Sequence, residues 1–405
     1  MEMIPRLRVA VISDLHAFAS PVSYQTPSYL DMSQTDKNQY NDPMLGLKSL
    51  IDRNQISADI LLCAGDIGDK AIPAATSFGW DKVNEIKGWL GASDIIATAG
   101  NHDVDSRYKY NDYDAKGMLQ SLTPAFPGLT TDQCDRFWSR NFAILEGEYW
   151  RIVTLNSAAY HGAGGEQASE YLHGRVSNHT VAHLKKELEE KTVAKPLNIL
   201  LCHHHPIRNN RIEERDYSEM AGGDGLVNEL GSGELGQWII IHGHKHYPRI
   251  TYATGGSTSP IIFSAGSFCA QLYPELGPKA RNQFYLIDFP IDQFGRLECS
   301  VAGKVNSWDW ISMRGWQKAS RESGIPAEAG FGYRCAHQHL VNSIVKYLTG
   351  LQEPYSDWSQ LVEWKAEIDF LTPDDKEVLI KNLQEKGVQV LFDDDGVPVQ
   401  VKVKK

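Results

Sequence analysis

The sequence predicts an α/β fold with mixed sheets, followed by a small C-terminal α+β module. Short apolar runs recur through the first 290 or so residues, and each ends at a glycine or a polar residue. Such runs are typical of strands that are buried on both faces of a sheet. Amphipathic helical patterns separate several of these runs. After about Gly303 the pattern changes to consecutive helices and one hairpin.

The first part of the chain supplies most of the predicted strands. They cover residues 8–13, 60–64, 95–99, 151–157, 197–202, 238–241, 261–264 and 284–289. Crossover helices are predicted at residues 45–54 and 80–90, and a further helix begins near Ser177, which is a good N-cap residue. Some strands follow one another without room for a helix, and we therefore expect mixed sheets.

The C-terminal part is expected to form a separate module, which divides the chain into residues 1–303 and 304–405. Helices are predicted at residues 339–348 and 358–368, and a third helix begins at Thr372 and ends at Gly387. Residues 388–392 and 397–403 read as a β-hairpin. Pro398 predicts an edge position for the second hairpin strand. No catalytic motif occurs in this part, and its role stays open.

The composition of the chain argues against several classes of function. The 405 residues include 40 Lys+Arg and 51 Asp+Glu, and the net charge of 40 − 51 = −11 does not favour a nucleic-acid partner. No apolar run approaches the roughly 18 residues of a membrane span, and the first one, residues 9–12, is too short for a signal peptide. The six cysteines are scattered, which indicates reduced thiols. We expect a cytoplasmic protein without a membrane partner.

Polar residues directly follow five of the predicted strands. These residues are Asp14 and His16; Asp66; Asn101, His102 and Asp103; His203, His204 and His205; and His242, His244 and His246. In open α/β sheets, ligands bind beyond the carboxyl ends of the strands. We therefore expect these side chains to meet at one edge of the fold.

This set of side chains suits two divalent metal ions. Imidazole favours Zn and Fe, whereas carboxylate and amide oxygens favour Mn and Mg, and the mixture indicates Mn, Fe or Zn. No thiolate accompanies the clusters, which disfavours a structural zinc site. Two ions about 3.5–4 Å apart can share a hydroxide and clamp the oxygens of a displacement at phosphorus. The sequence therefore predicts hydrolysis of a phosphate ester.

The five blocks, in this order, resemble the calcineurin-like metallophosphoesterases over roughly residues 7–290. Their layout is most similar to that of the class III cyclic-nucleotide phosphodiesterases. The resemblance implies a β-sandwich of two mixed sheets flanked by helices.

The resemblance also implies a role for each residue of the blocks. One metal ion is expected on Asp14, His16 and His246, and the other on Asn101, His204 and His244, with Asp66 bridging both ions. His102 is expected to face the substrate and assist the leaving group. Either Asp69 or Asp103 is expected to orient His102. Strand alternation predicts that His203 and His205 point away from the face of His204.

The leading functional hypothesis is hydrolysis of a phosphodiester, a cyclic nucleotide or another nucleotide, through a metal-bridging hydroxide. A nuclease of the repair-exonuclease type and a phosphomonoesterase or phosphoprotein phosphatase remain alternatives. A non-catalytic scaffold on this fold is disfavoured because no expected ligand residue is missing. The sequence does not predict an oligomeric state.

Overall fold

A computed structural model describes residues 6–19, 26–163, 173–191, 193–208, 218–277, 279–295, 301–334, 337–353, 355–393 and 396–403. The strands are β1 (Leu7–Ile12), β2 (Ile60–Cys63), β3 (Asp94–Ala97), β4 (Phe142–Glu146), β5 (Trp150–Leu155), β6 (Leu197–Leu201), β7 (Trp238–His242), β8 (Arg249–Tyr252), β9 (Ile261–Ser264), β10 (Asn282–Phe289), β11 (Gly303–Ile311), β12 (Gly315–Lys318), β13 (Glu328–Phe331), β14 (Tyr355–Asp357), β15 (Val388–Phe392) and β16 (Pro398–Val403). The α-helices are α1 (Pro43–Asn54), α2 (Pro73–Leu90), α3 (Gly117–Gln120), α4 (Thr131–Arg140), α5 (Asn178–Glu189), α6 (Gly223–Gly231), α7 (His337–Thr349), α8 (Trp358–Trp364) and α9 (Pro373–Glu385).

Two large mixed sheets form the body of the molecule. The first has seven strands, in the order β12-β11-β10-β1-β2-β3, with β13 paired to β11. The second has six strands, in the order β4-β5-β6-β7-β9-β8. Strands β1, β2 and β3 are parallel to one another, as are β5, β6, β7 and β9. The predicted α/β fold with two mixed sheets is confirmed.

The sheets pack through the alternating side chains of their strands. Val9 and Val11 of β1 belong to one buried cluster with inward-facing residues of the second sheet. Ala10 and Ile12, which point the other way, pack with residues of α1 and α2. Leu200 of β6 likewise faces α5 and α6. The strands are apolar on both faces because each sheet is covered on both faces.

The C-terminal module comprises residues 337–403. It contains α7, α8 and α9 and a three-stranded sheet in the order β14-β16-β15. The helix predicted from Thr372 is confirmed: the Thr372 hydroxyl accepts a hydrogen bond from the amide of Asp375 (3.2 Å), and Pro373 occupies the first turn. Buried Leu340 and Ile344 of α7 belong to the same apolar cluster as the interior of the two sheets. The module is thus packed against the body rather than tethered to it.

The structure corrects the domain boundary expected between residues 303 and 304. Strand β11 pairs antiparallel with β10 through seven residue pairs, from Asn282 opposite Trp310 to Asp288 opposite Lys304. Strands β12 and β13 then pair with β11. The first sheet therefore continues to Phe331, and we place the start of the C-terminal module after residue 334. Among the residues described between β10 and β13 there is no α-helix, and the sequence pattern gave no sign that the first sheet continues past residue 303.

The structure also corrects the edge position expected for Pro398. Strand β16 lies in the middle of its sheet, between β14 and β15. Pro398 is tolerated there because it is the first residue of the strand. The pairing with β14 begins only at Gln400, opposite Asp357, and the missing N–H of the proline breaks no rung of that ladder.

Two expectations from composition can be compared with the structure. Cys63, Cys134, Cys202 and Cys269 are buried free thiols, whereas Cys299 and Cys335 lie outside the described residues. Within the described ranges, no helix is both long and apolar enough to cross a membrane.

Candidate metal centre

The predicted site residues lie in five loops at the carboxyl ends of strands. We call residues 13–16, 65–69, 100–103, 202–205 and 243–246, which follow β1, β2, β3, β6 and β7, the ligand edge. Three of these strands belong to the first sheet and two to the second. The site therefore lies where the parallel parts of the two sheets end side by side, as the sequence predicted.

The backbone of the ligand edge adopts a conformation that side chains rarely allow. Asp14, His16, Asp66, His244 and His246 have φ values of 54°, 47°, 53°, 78° and 54°. Such values cost on the order of 1–3 kcal/mol for a non-glycine residue. Hydrogen bonds between the loops offset this cost, because the amide of Asp14 donates to the carbonyl of Gly65 (2.9 Å) and that of His16 to the carbonyl of Asp66 (3.0 Å).

Two glycines let the carboxylates approach the backbone closely. A Cβ on Gly100 would overlap the carboxylate of Asp66. A Cβ on Gly243 would overlap the hydroxyl of Ser13 and lie 2.5 Å from Asp14 Oδ2. Any side chain at either position would displace a carboxylate, which explains why glycine stands beside both.

One cluster of donor atoms joins Asp14, His16, His246 and Asp66, all of which are buried. Asp14 Oδ1 lies 3.2 Å from His246 Nε2. His16 Nε2 lies 3.3 Å from His246 Nε2 and 3.6 Å from Asp66 Oδ2. Donor atoms that surround one ion at about 2.1 Å are about 3.0–3.4 Å apart. These separations are therefore close to those of a ligand set.

A second cluster joins Asp66, Asn101, His203 and His244. Asn101 Oδ1 lies 3.0 Å from His244 Nδ1 and 3.2 Å from His203 Nε2. His203 Nε2 is also 3.3 Å from Asp66 Oδ2, the same oxygen that faces His16 in the first cluster. Asp66 thus stands between the two clusters, in the position expected of a bridging carboxylate.

The structure corrects the expectation that His203 points away from the site. The strand ends at Leu201, and the chain bends at His203 and His204, so strand alternation no longer applies there. His203 Nδ1 donates to the carbonyl of Ala64 (2.7 Å), and this hydrogen bond directs Nε2 at Asp66 Oδ2 (3.3 Å). A backbone carbonyl on the second ring nitrogen is typical of metal-binding histidines.

His204, the ligand expected from the sequence, occupies a less central place. Its Nδ1 lies 2.9 Å from the hydroxyl of Ser157. Among the described residues its buried Nε2 has no hydrogen-bond partner. One ring nitrogen each of His203, His204 and His244 lies within 4.8 Å of the others. His204 therefore borders the second cluster, whereas His203 touches the bridging carboxylate.

His102 is placed differently from the ligands. Its side chain is 31% exposed, whereas those of His16 and His246 are 7% and 10% exposed. His102 Nδ1 lies 3.1 Å from Asp69 Oδ1. Of the two acids expected near His102, Asp69 makes this contact. Asp103 instead accepts hydrogen bonds from the amides of residues 67, 68 and 100. Asp69 contacts the imidazole of His102, and Asp103 joins the two loops through its hydrogen bonds.

Burial and neighbouring charges shift the pKa values of the clustered side chains. Burial raises the pKa of Asp66, but His203 and His102 outweigh this effect and hold the pKa well below its usual value. Burial lowers the pKa of His204 and of His244 well below the usual histidine value. Metal binding needs ionised carboxylates and neutral imidazoles. The shifts at Asp66 and His244 meet this need. Burial lowers the pKa of His203, but Asp66 outweighs it and raises the pKa to about 9, so that a metal ion would have to displace a proton from this ring.

The donor set fits two divalent ions. Asp14 and Asp66 are buried, and within the described part of the chain their salt-bridge partners are histidines rather than Lys or Arg. His204 Nε2, beside the second cluster, is buried without a hydrogen-bond partner among the described residues. Buried carboxylates and unpaired imidazoles are costly unless a cation completes them.

Sequence reasoning missed the loop that follows β5. His161 is 3% exposed, and its ring stacks on that of His204 with centroids 5.3 Å apart. Burial lowers the pKa of His161 to about 4. The signal was present nonetheless, since Asn156 and Ser157 follow the apolar run of β5 as the other polar blocks follow their strands.

Strands beyond residue 280 support the site from the first sheet. The Ser267 hydroxyl donates to the carbonyl of Asp14 (2.7 Å), and the preceding amide donates to the Tyr285 hydroxyl (2.7 Å). Tyr285 donates to Gln283 Oε1 (3.0 Å), and Gln283 Nε2 donates to Asp309 (2.7 Å). These hydrogen bonds connect Asp309 of β11 to the segment that contacts Asp14, one of the expected ligands.

Two mixed sheets place Asp, Asn and His side chains in adjoining clusters at one edge, an arrangement that suits divalent metal ions. The family model of the calcineurin-like phosphoesterases matches residues 7–248, more than half of the chain. The chain belongs to this family, and the resemblance stated from its motifs is confirmed.

Solved structures with a similar fold were also found, at low sequence identity. The purple acid phosphatase PPD1 from yellow lupin (Lupinus luteus) is 13% identical with a TM-score of 0.47, and the match covers 77% of this chain and 52% of that one. The NAD nucleotidase of Haemophilus influenzae is 10% identical (TM-score 0.39; 94% and 60%). A metallophosphoesterase from Sphaerobacter thermophilus is 12% identical (TM-score 0.25; 70% and 83%). This chain thus spans about half of the lupin protein. No curated protein sequence matches it.

Proposed function

We propose that this chain hydrolyses phosphodiesters, with a cyclic nucleotide or another nucleotide as substrate, at a centre of two divalent metal ions. The supporting observation is that one oxygen of Asp66 lies 3.6 Å from His16 Nε2 and 3.3 Å from His203 Nε2, in two different clusters. Two ions held side by side stabilise the attacking and leaving oxygens of an in-line displacement at phosphorus. Mn, Fe or Zn suits the mixed donor set.

The residues divide the work in this proposal. Asp14, His16 and His246 hold one ion, and Asn101, His203 and His244 hold the other, with Asp66 shared between them. The more exposed His102 faces the substrate and passes a proton or a hydrogen bond to the leaving oxygen. Asp69 keeps the imidazole of His102 aimed and stabilises its protonated form. Burial lowers the pKa of His102, but Asp66 and Asp69 outweigh this and raise it, which suits a proton donor.

Metal analysis tests the proposal most directly. Protein purified with Mn or Fe supplied should contain two metal ions per chain. Exhaustive chelation should abolish hydrolysis of bis(p-nitrophenyl) phosphate, and added Mn should restore it. Activity that survives complete removal of metal would contradict the proposal.

A panel of substrates tests the substrate class. Cyclic AMP and bis(p-nitrophenyl) phosphate should be hydrolysed faster than p-nitrophenyl phosphate and single-stranded DNA at equal concentration. Preference for the monoester would favour the phosphomonoesterase alternative. Preference for single-stranded DNA would favour the nuclease alternative.

A further inference from the structure

A loop with three exposed tyrosines adjoins the ligand edge. Residues 105–115, the tyrosine loop, begin three positions after His102. Tyr108, Tyr110 and Tyr113 are 39%, 40% and 88% exposed. Single exposed aromatic residues need no explanation, but here three lie within six residues of a loop that directly follows a block of the ligand edge.

The tyrosine loop is held in one shape by Asp105, which is buried. Its amide donates to the carbonyl of Ala115 (2.9 Å), which closes the loop. Its carboxylate accepts hydrogen bonds from the amides of Lys109 (2.8 Å), Tyr110 (2.7 Å) and Asn111 (3.1 Å). Because the backbone is fixed in advance, a ligand that contacts the tyrosines pays little conformational entropy for ordering it.

The same loop is fastened to the ligand edge from the second sheet. The Tyr108 hydroxyl donates to the carbonyl of Gly162 (2.5 Å). The residue before Gly162 is His161, whose ring stacks on His204. Tyr108 also has a φ of 50°, a strained value for a bulky residue. Strain of this kind persists where the surrounding structure imposes it, typically at ligand sites.

We infer that the tyrosine loop forms the subsite for the nucleobase of a nucleotide substrate, an inference that rests on the proposed phosphodiesterase function. Arg107 and Lys109 alternate with Tyr108 and Tyr110, and Lys109 Nζ lies 5.0 Å from the ring centroid of Tyr110. Cations among exposed aromatic rings suit a ligand that is both anionic and aromatic. Every base offers a π-face, and this subsite therefore favours nucleotides over aliphatic phosphate esters without selecting one base.

Binding of AMP and of inorganic phosphate to the metal-loaded protein tests this inference by calorimetry. In the double variant Tyr110→Leu/Tyr113→Leu, affinity for AMP should fall about 10-fold or more, because stacking on both rings is lost. Affinity for phosphate should stay within about 2-fold, because the leucines do not touch the metal ligands. The matching phenylalanine double variant should bind AMP like the wild type.

Tyr149→Leu serves as the control, since Tyr149 is also 39% exposed but precedes β5, at the opposite end of the strand from the site. This control should bind both ligands normally. Unchanged AMP affinity in the leucine double variant, or an equal loss for AMP and phosphate, would overturn the inference. The binding measurement does not depend on turnover. If the protein cleaves no diester but its AMP affinity depends on the tyrosines, the subsite is supported and the proposed function is contradicted. If the protein cleaves diesters but its AMP affinity does not change with the tyrosines, the proposed function is supported and the subsite is contradicted.

Discussion

The ligand edge and the C-terminal module are built in opposite ways. Five non-glycine residues of the ligand edge have positive φ, whereas in the described part of the module only Gly387 and Gly396 do. His204 and His246 of the ligand edge each bury a ring nitrogen that has no hydrogen-bond partner among the described residues, whereas His337 Nε2 of the module, which also lacks one, lies 3.3 Å from Asp375 Oδ1. The module instead caps its helices, as Thr372 does for α9, and buries apolar side chains.

This difference separates residues that position donor atoms from residues that stabilise the fold. Strained backbone and unpaired imidazoles destabilise the folded state. They are retained where ligand binding compensates for this loss of stability. The module carries ordinary caps and apolar faces and therefore adds stability. The comparison predicts that substitutions at the ligand edge change metal binding and turnover, whereas substitutions in the module change the free energy of unfolding.

The largest effect is expected from Asp66→Asn. An amide cannot carry the charge that Asp66 presents to both clusters, so both ions should bind more than about 100-fold more weakly, and nearly all turnover should be lost. Changing a residue that merely orients a ligand already costs about 10–100-fold in affinity. Elemental analysis and kcat measure the two effects.

Asp59→Asn is the matched control for Asp66→Asn, because Asp59 precedes β2 whereas Asp66 follows it. The Asp59 carboxylate accepts a hydrogen bond from the amide of Arg8 (2.7 Å), and this contact lies far from the ligand edge. Full metal content in Asp66→Asn would remove Asp66 from the bridging position.

The second effect distinguishes two neighbouring histidines. His203→Ala should lose one of the two ions, because His203 Nε2 touches both Asp66 and Asn101. His204→Ala should keep both ions, with affinity lowered by no more than about 10-fold, as for a residue that supports a ligand. Metal content after dialysis against a fixed concentration of free Mn gives the comparison. The reverse result would restore His204 as the ligand and leave His203 as a packing residue.

The third effect depends on the leaving group. His102→Ala should keep both ions and lose about 10²–10⁴-fold in turnover of cyclic AMP, whose alkoxide leaving group needs a proton. The loss should be much smaller on bis(p-nitrophenyl) phosphate, because nitrophenolate is stable as the anion. Equal losses on both substrates would mean that His102 stabilises the phosphoryl oxygens instead. Loss of metal would place His102 among the ligands.

Much of the fold was predictable because buried strands leave a local signature. The apolar runs that became β1, β2, β3, β6 and β7 are recognisable without information from distant parts of the chain, and the polar residues after them marked the ligand edge. The domain boundary was not predictable in this way. Whether the chain near residue 303 pairs with β10 depends on a contact between two strands. The alternating burial along β11 is a pattern that a strand of a separate module would also show.

The site itself was predictable up to the choice among adjacent side chains. The residue types and their order predicted that Asp14, His16, Asp66, Asn101, His244 and His246 meet at one edge, and the structure brings these side chains together. The choice between His203 and His204 depends on where β6 ends and how the chain bends after it. One residue of difference reverses the direction of a side chain, and strand ends are the least certain part of a sequence-based assignment.

The smallest effect on catalysis, and the sharpest test of the comparison, is expected from Leu379→Ala in the C-terminal module. Leu379 of α9 is 0% exposed and belongs to the apolar cluster that continues into the two sheets. Its truncation should lower the free energy of unfolding by about 2–5 kcal/mol in urea denaturation, the usual cost of a buried leucine cavity. Val378→Ala, at a neighbouring position that is 43% exposed, should change stability little. Both variants should keep two metal ions and wild-type kcat at a temperature where they remain folded, because every proposed ligand lies before residue 247. Reduced metal content in folded Leu379→Ala would mean that the module holds the ligand edge in shape, and the division between positioning and stabilising regions would fail.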